Sequence, residues 1–231
     1  YEIPKRDWSS DVCSSDLRTR RNQPPITKTP MVPGDGVPRE TSLVGRFVLR
    51  RHLGAGGFGD VYEAVDQTTD TTVALKVLRH AEPMGLLQFK REFRTASTLV
   101  HPNLIRLYEL IQDGDLWCFS MELVDGIDVL SHIRRQPVPR REAALRDSFS
   151  QLTVGLQALH GAGIAHRNIK PSNVIATTDG RVVLLDFGIA KEIVPSATGA
   201  TSVLIGTPAY VAPERFQRTA PSEASDWYSV G

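Results

Sequence analysis

The sequence predicts an α+β fold in two lobes, the first β-rich and the second mainly helical, over a chain of 231 residues. Three observations lead there. Between Phe47 and Glu122, short runs of aliphatic, aromatic and β-branched residues follow one another, with a single helical stretch among them. Past Asp128 the apolar spacing becomes helical, with Leu145, Phe149, Leu152, Leu156 and Leu159 at steps of four, three, four and three. There is no internal repeat, and strands followed by helices suit two packed lobes better than a βαβ repeat.

The elements follow in chain order. Residues 1–17 have no periodicity, and the segment from Trp8 to Leu17 reads as a non-native leader outside the fold. Residues 18–43 hold Pro24, Pro25, Pro30, Pro33 and Pro38 among polar and basic residues. Such a stretch buries too little apolar area to offset its ordering entropy, so a disordered segment is expected. The folded domain is then residues 44–231, with 44–124 as the first lobe and 125–231 as a partial second lobe. Strands are expected at Phe47–Leu53, Val61–Asp66, Thr72–Leu78, Leu104–Leu110 and Leu116–Glu122, and a helix near Leu86–Leu99.

Composition narrows the function. With 27 basic against 26 acidic residues the formal charge is +1, so no strong pull toward nucleic acid or an anionic membrane is expected. Two cysteines, Cys13 and Cys118, cannot build a disulfide framework, which points to a reducing, cytoplasmic setting. Cys118 lies in Leu116-Trp117-Cys118-Phe119 and reads as a buried, inert thiol. No apolar run reaches the ~18 residues of a membrane span, and no basic-plus-apolar start marks a secretory signal.

The chemistry-bearing residues come in ordered groups. Gly54-Ala55-Gly56-Gly57-Phe58-Gly59-Asp60-Val61 can be a phosphate loop or a plain hairpin turn. Because Val61–Val65 alternates like a strand, the loop joins two strands as a flap and does not open a helix, as dinucleotide binding would need. Gly54, Gly56 and Gly59 would let the backbone approach phosphate oxygens. Lys76 interrupts the apolar row Val73-Ala74-Leu75 and either snorkels out at an edge or points inward to an anion. Glu92, beside Phe89 and Phe93 on the predicted helix, is either a solvated charge or the partner of that lysine. Asn173 and Asp186 are oxygen donors of the kind Mg²⁺ (or Mn²⁺) takes, and Asp186 ends the apolar run Val182–Leu185. Lys170 could neutralise charge on a transferred phosphoryl group.

Taken together, GAGGFGDV, VALK, the helix glutamate, HRN-IKPSN, DFG and GTPAYVAPE resemble the protein kinase family over residues 47–231. Lys170, two positions after residue 168, and Gly206-Thr207-Pro208 are similar to the serine/threonine branch, and the style of the first lobe to its bacterial members. The resemblance implies ATP and a divalent metal as cofactors and proteins with Ser or Thr hydroxyls as substrates. It implies that Leu53, Val61 and Ala74 line the adenine slot, with Met121 guarding its back. Glu122 and Val124 would offer backbone hydrogen bonds to adenine, and Asp128 would reach the ribose. Lys76 would pair with Glu92, and Asn173 with Asp186 would hold the metal. Arg167 would receive a phosphate from an activation segment in which Thr198, Thr201 and Ser202 are candidates, and Thr207 would contact the catalytic loop.

Two departures from the family pattern stand out. Asn168 occupies the position of the catalytic aspartate, and a carboxamide has almost no basicity near neutral pH. Asp226–Gly231 resembles the opening of the family's central second-lobe helix, so the resemblance implies an incomplete lobe with an uncovered apolar face; sensor domains would lie beyond. Three functions fit these residues: a serine/threonine protein kinase, a pseudokinase that binds ATP and signals by conformation, and a small-molecule phosphotransferase on a related fold.

Overall fold

The computed structural model describes residues 42–43, 46–56, 59–78, 83–187, 208–217 and 222–231, and every structural statement concerns these. The leader at 1–17 and residues 18–41 lie outside them. Six antiparallel strands make the first sheet: β1 (Ser42–Leu43), β2 (Phe47–Gly56), β3 (Gly59–Asp66), β4 (Thr71–Leu78), β5 (Leu107–Asp113) and β6 (Leu116–Met121), in the order β1-β2-β3-β4-β6-β5. Ser42 and Leu43 pair with Val48 and Phe47, so these two residues, expected in the disordered segment, extend the sheet.

β4 is central because it is apolar on both faces. Val73, Leu75 and Cys118 pack with Phe47 and Ala64 on one side. Ala74, Leu78, Phe119 and Met121 pack on the other against the helix α1 (Pro83–Ser97), through Phe89 and Phe93. Phe89 is 0% exposed and Phe93 4%, and each such ring contributes roughly 1.5–3 kcal/mol by burial. Cys118 on β6 has no exposed surface, and burial, with the Asp113 carboxylate second, pushes its thiol up to about 11. Native protein near neutral pH is therefore expected to resist a thiol reagent that labels Cys118 fully in denaturant. Fast labelling of the folded chain would contradict that packing.

The second part holds a three-stranded sheet, β7 (Gly126–Asp128), β8 (Val174–Thr177) and β9 (Val182–Leu184), with α2 (Val129–Arg135), α3 (Val138–Gly161) and α4 (Glu223–Val230). Asp128 caps α2 by accepting from the Ser131 amide at 2.9 Å, and Ser222 with Ser225 forms a reciprocal cap on α4. α3 packs against β9 through buried Leu152, Leu156 and Leu159. Gly155 permits close approach to the loop before β5, since a Cβ there would lie 2.9 Å from the Asn103 carbonyl oxygen.

Three expectations shift. Leu145 is 41% exposed and Phe149 half-buried, because only the latter part of the 24-residue α3 has β9 beneath it. The strand expected from Leu104 begins at Leu107, as Leu104 instead bridges in parallel to Leu184 and closes a turn back to His101. The first helix opens at Pro83, three residues before Leu86.

Candidate active site

The flap is a hairpin. β2 and β3 run in register through Gly54↔Val61, Ala55↔Asp60 and Gly56↔Gly59, with an irregularity between His52 and Gly54 that falls at Leu53. Gly59 has φ 154°, and a Cβ there would lie 2.0 Å from the Val77 carbonyl oxygen, so only glycine fits this crossing of β4. Val61 pairs with Lys76 and Ala74 pairs with Met121, which places the residues expected to line the slot on neighbouring strands. Ala74 and Met121 are buried, Val61 half-buried and Leu53 exposed at the rim.

Lys76 points inward and is 4% exposed, so of its two sequence readings the inward one holds. Its partner differs from the expected one. Lys76 Nζ is in direct contact with Asp186 Oδ1, while Glu92 meets Arg167 Nη2 at 3.4 Å and Gln88 Nε2 at 3.2 Å. A buried ammonium requires a carboxylate, and here Asp186 supplies it, leaving Glu92 to neutralise Arg167 in the loop 166–170, the candidate catalytic loop.

That loop is held from three directions. Asp226 of α4, 2% exposed, accepts the His166 and Arg167 amides at 2.6 and 2.7 Å and the His160 Nε2–H at 3.0 Å. His166 accepts the Asn168 amide on Nδ1 at 3.2 Å and donates from Nε2 to the Leu185 carbonyl at 2.8 Å, which sets its tautomer. The Asn173 amide nitrogen donates to the Asn168 carbonyl at 2.8 Å. Asn168 and Lys170 are half-buried on this frame. Only three non-glycine described residues have positive φ, and two are in the site: Arg167 at 65° and Asp186 at 59°. Such backbone costs ~1–3 kcal/mol each and persists where surroundings over-determine it, typically at functional sites.

The β8–β9 hairpin brings the two oxygen donors together. Val174 pairs with Leu184, and the next residues continue the contact through Leu185 N–H to the Asn173 carbonyl at 2.8 Å. Asn173 and Asp186 therefore sit at one end of one hairpin. The Asn173 side chain uses its amide nitrogen within the loop, which leaves its side-chain oxygen Oδ1 as a candidate hard donor; Asp186 keeps a second carboxylate oxygen beside the one Lys76 meets. Two oxygens suit Mg²⁺, which usually takes one or two protein groups and completes its shell with water and phosphate. Among the described residues no group of three or more His, Cys, Asp or Glu could hold a metal alone.

The segment after β6 links the sheets. The Glu122 amide donates to the Arg106 carbonyl at 2.8 Å, so of its backbone groups only the carbonyl is left for a ligand. Val124 is half-buried on the same segment. Asp128 spends one carboxylate oxygen on its cap, and the Ser131 hydroxyl and amide hold its carboxyl below the usual range. Thr198, Thr201, Ser202 and Thr207 lie outside the described residues. Sequence reasoning missed Arg181, which grips the Glu122 side chain, and His160 on Asp226. Neither belongs to a motif, so no local signal marked them.

A two-lobed α+β fold, with a glycine flap, an inward lysine and an amide–carboxylate pair on one hairpin, defines the architecture of a phosphotransferase of the protein kinase type. The protein kinase domain family matches residues 47–231, and the chain belongs to that family. It is 37% identical over 203 residues to the serine/threonine-protein kinase pkn2 of Myxococcus xanthus, covering 84% of this chain and 24% of that protein. It is 36% identical over 198 residues to the serine/threonine-protein kinase PknA of Mycobacterium tuberculosis, covering 82% and 46%. The crystal structure of the PknI kinase domain of Mycobacterium tuberculosis superposes with TM-score 0.61 at 26% identity, covering 83% of this chain and 73% of that one. The chain thus spans less than half the length of these curated relatives. No helix among the described residues is long and apolar enough to cross a membrane.

Proposed function

We propose that residues 44–231, with 44–124 and 125–231 as lobes, act as a serine/threonine protein kinase domain that binds ATP with Mg²⁺ or Mn²⁺ and transfers its γ-phosphoryl to protein hydroxyls. The observation that carries this is that Lys76, inside β4 and paired with Val61 just past the glycine hairpin, contacts Asp186, which sits with Asn173 at one end of the β8–β9 hairpin. Asn173 and Asp186 would hold the metal, which when bound neutralises phosphate charge and orients the triphosphate. Gly54, Gly56 and Gly59 cover the phosphates, and Lys76 exchanges its contact with Asp186 for phosphate oxygens. Lys170 offsets charge on the phosphoryl group in transit. The substrate oxygen bonds to the γ-phosphorus as the bond to the β–γ bridging oxygen breaks and ADP leaves. With Asn168 at the base position, the hydroxyl proton passes to water or to a phosphoryl oxygen, which makes this form slow. A cytoplasmic setting suits the reduced, buried Cys118.

Asn168 also supports a second reading, an ATP-binding pseudokinase, because every nucleotide-facing group is retained while the base alone is replaced. Calorimetry addresses what the two share. Wild-type chain is expected to take up ATP with magnesium, and Lys76→Met or Asp186→Asn to weaken uptake by about tenfold or more, the scale of a lost charge-assisted contact. No heat of binding in a folded sample, or no change in either variant, would overturn both.

A further inference from the structure

Arg181 occupies the turn between β8 and β9, directly after Gly180 at φ 86°. Its guanidinium reaches out of that turn to the hinge, the segment 122–125 that links β6 to β7. Nη1 meets Glu122 Oε1 at 2.5 Å and Nη2 meets Oε2 at 3.1 Å, a bidentate fork, while Nε donates to the Pro102 carbonyl at 2.6 Å. Glu122 Oε2 also accepts the Arg106 amide at 3.3 Å, and its own amide is bonded to the Arg106 carbonyl. Glu122 is therefore pinned by side chain and amide, and its carbonyl is the backbone group left to face a ligand. The loop that supplies Pro102 is itself fastened to the hairpin, through Asn103 Nδ2 to the Val182 carbonyl at 2.8 Å and the Leu104–Leu184 bridge. Three separate segments, the hinge, this loop and the hairpin, close into a ring at one guanidinium.

We propose that Arg181 is a positioning residue for nucleotide binding: by clamping Glu122 it holds the Glu122–Val124 backbone in register for the adenine edge. This rests on the ATP reading and adds a residue outside the motifs. The two side chains are 32% and 22% exposed, so the pair adds little to global stability. Its effect is local, on a connection of four residues between β6 and β7 that the fork makes rigid. Hydrogen bonding to the Glu122 carboxylate raises the pKa of the Arg181 guanidinium.

The test compares affinity for ATP with magnesium and for adenosine, which lacks the phosphates, by calorimetry on wild type, Arg181→Ala, Arg181→Lys and Glu122→Gln. Arg181→Ala is expected to weaken both ligands by the same factor, ~5-fold, with an unchanged thermal midpoint. Arg181→Lys should recover only part, since an ammonium cannot span both oxygens. Glu122→Gln keeps the side-chain shape and carries the test if Arg181→Ala fails to fold. Unchanged affinities overturn the clamp alone, as does a loss for ATP that adenosine does not share. A wild type that binds neither ligand overturns the ATP reading, and the clamp with it.

Discussion

Asn168→Asp is expected to raise phosphotransfer to a Ser or Thr peptide by ~10²-fold or more, because general-base catalysis typically contributes ~10²–10⁴-fold. The frame for a base is already built. The residue 168 amide is held by His166 Nδ1 at 3.2 Å and its carbonyl by Asn173 at 2.8 Å, so the backbone need not move when the side chain changes. The substitution exchanges an NH₂ for an oxygen of similar size on a half-buried side chain. Initial rates at saturating ATP should show the gain in kcat, with little change in KM for ATP, since residue 168 acts on the hydroxyl and not on the nucleotide. A gain below tenfold would mean that the proton has another acceptor or that a different step limits the rate. Wild-type activity already at the level of an aspartate variant would refute the role given to Asn168.

The largest loss of stability is expected at Asp226→Ala, roughly 3–5 kcal/mol, the range for removing one partner of a buried charged network. Three donors converge on this carboxylate, the His166 and Arg167 amides at 2.6 and 2.7 Å and the His160 ring at 3.0 Å. Alanine would leave them buried without acceptors, at ~1–3 kcal/mol each before relaxation. It would also free Arg167 from the contact that offsets its φ of 65°. Asp226→Asn should recover only part, because its NH₂ faces one of the amide donors. Urea unfolding of the variants reads the effect as a shift in midpoint with the slope retained. A change under ~1 kcal/mol would show that the catalytic loop holds its own shape.

Much of the fold was legible in the residues. β4 reads Thr71-Thr72-Val73-Ala74-Leu75-Lys76-Val77-Leu78, and only a central strand covered on both faces tolerates so many consecutive apolar residues. The flap was legible because alternation after Gly59 demands a strand. The end of α3 that packs against the sheet was legible through Leu152, Leu156 and Leu159, but periodicity marks a face without saying how far a neighbour extends beneath it, hence exposed Leu145.

The site divides along the same line. Order along the chain determined the family, the choice of Lys76, Asn173 and Asp186 as candidate phosphate- and metal-facing groups, and the absence of a carboxylate at residue 168. Tertiary structure alone decided which acid each base meets: Lys76 with Asp186, 110 positions away, Arg167 with Glu92, and Arg181 with Glu122. Backbone periodicity is local and can be read from neighbours in sequence. Ion pairing depends on separations of a few ångströms between residues far apart in the chain, so packing selects among carboxylates that the sequence leaves equivalent.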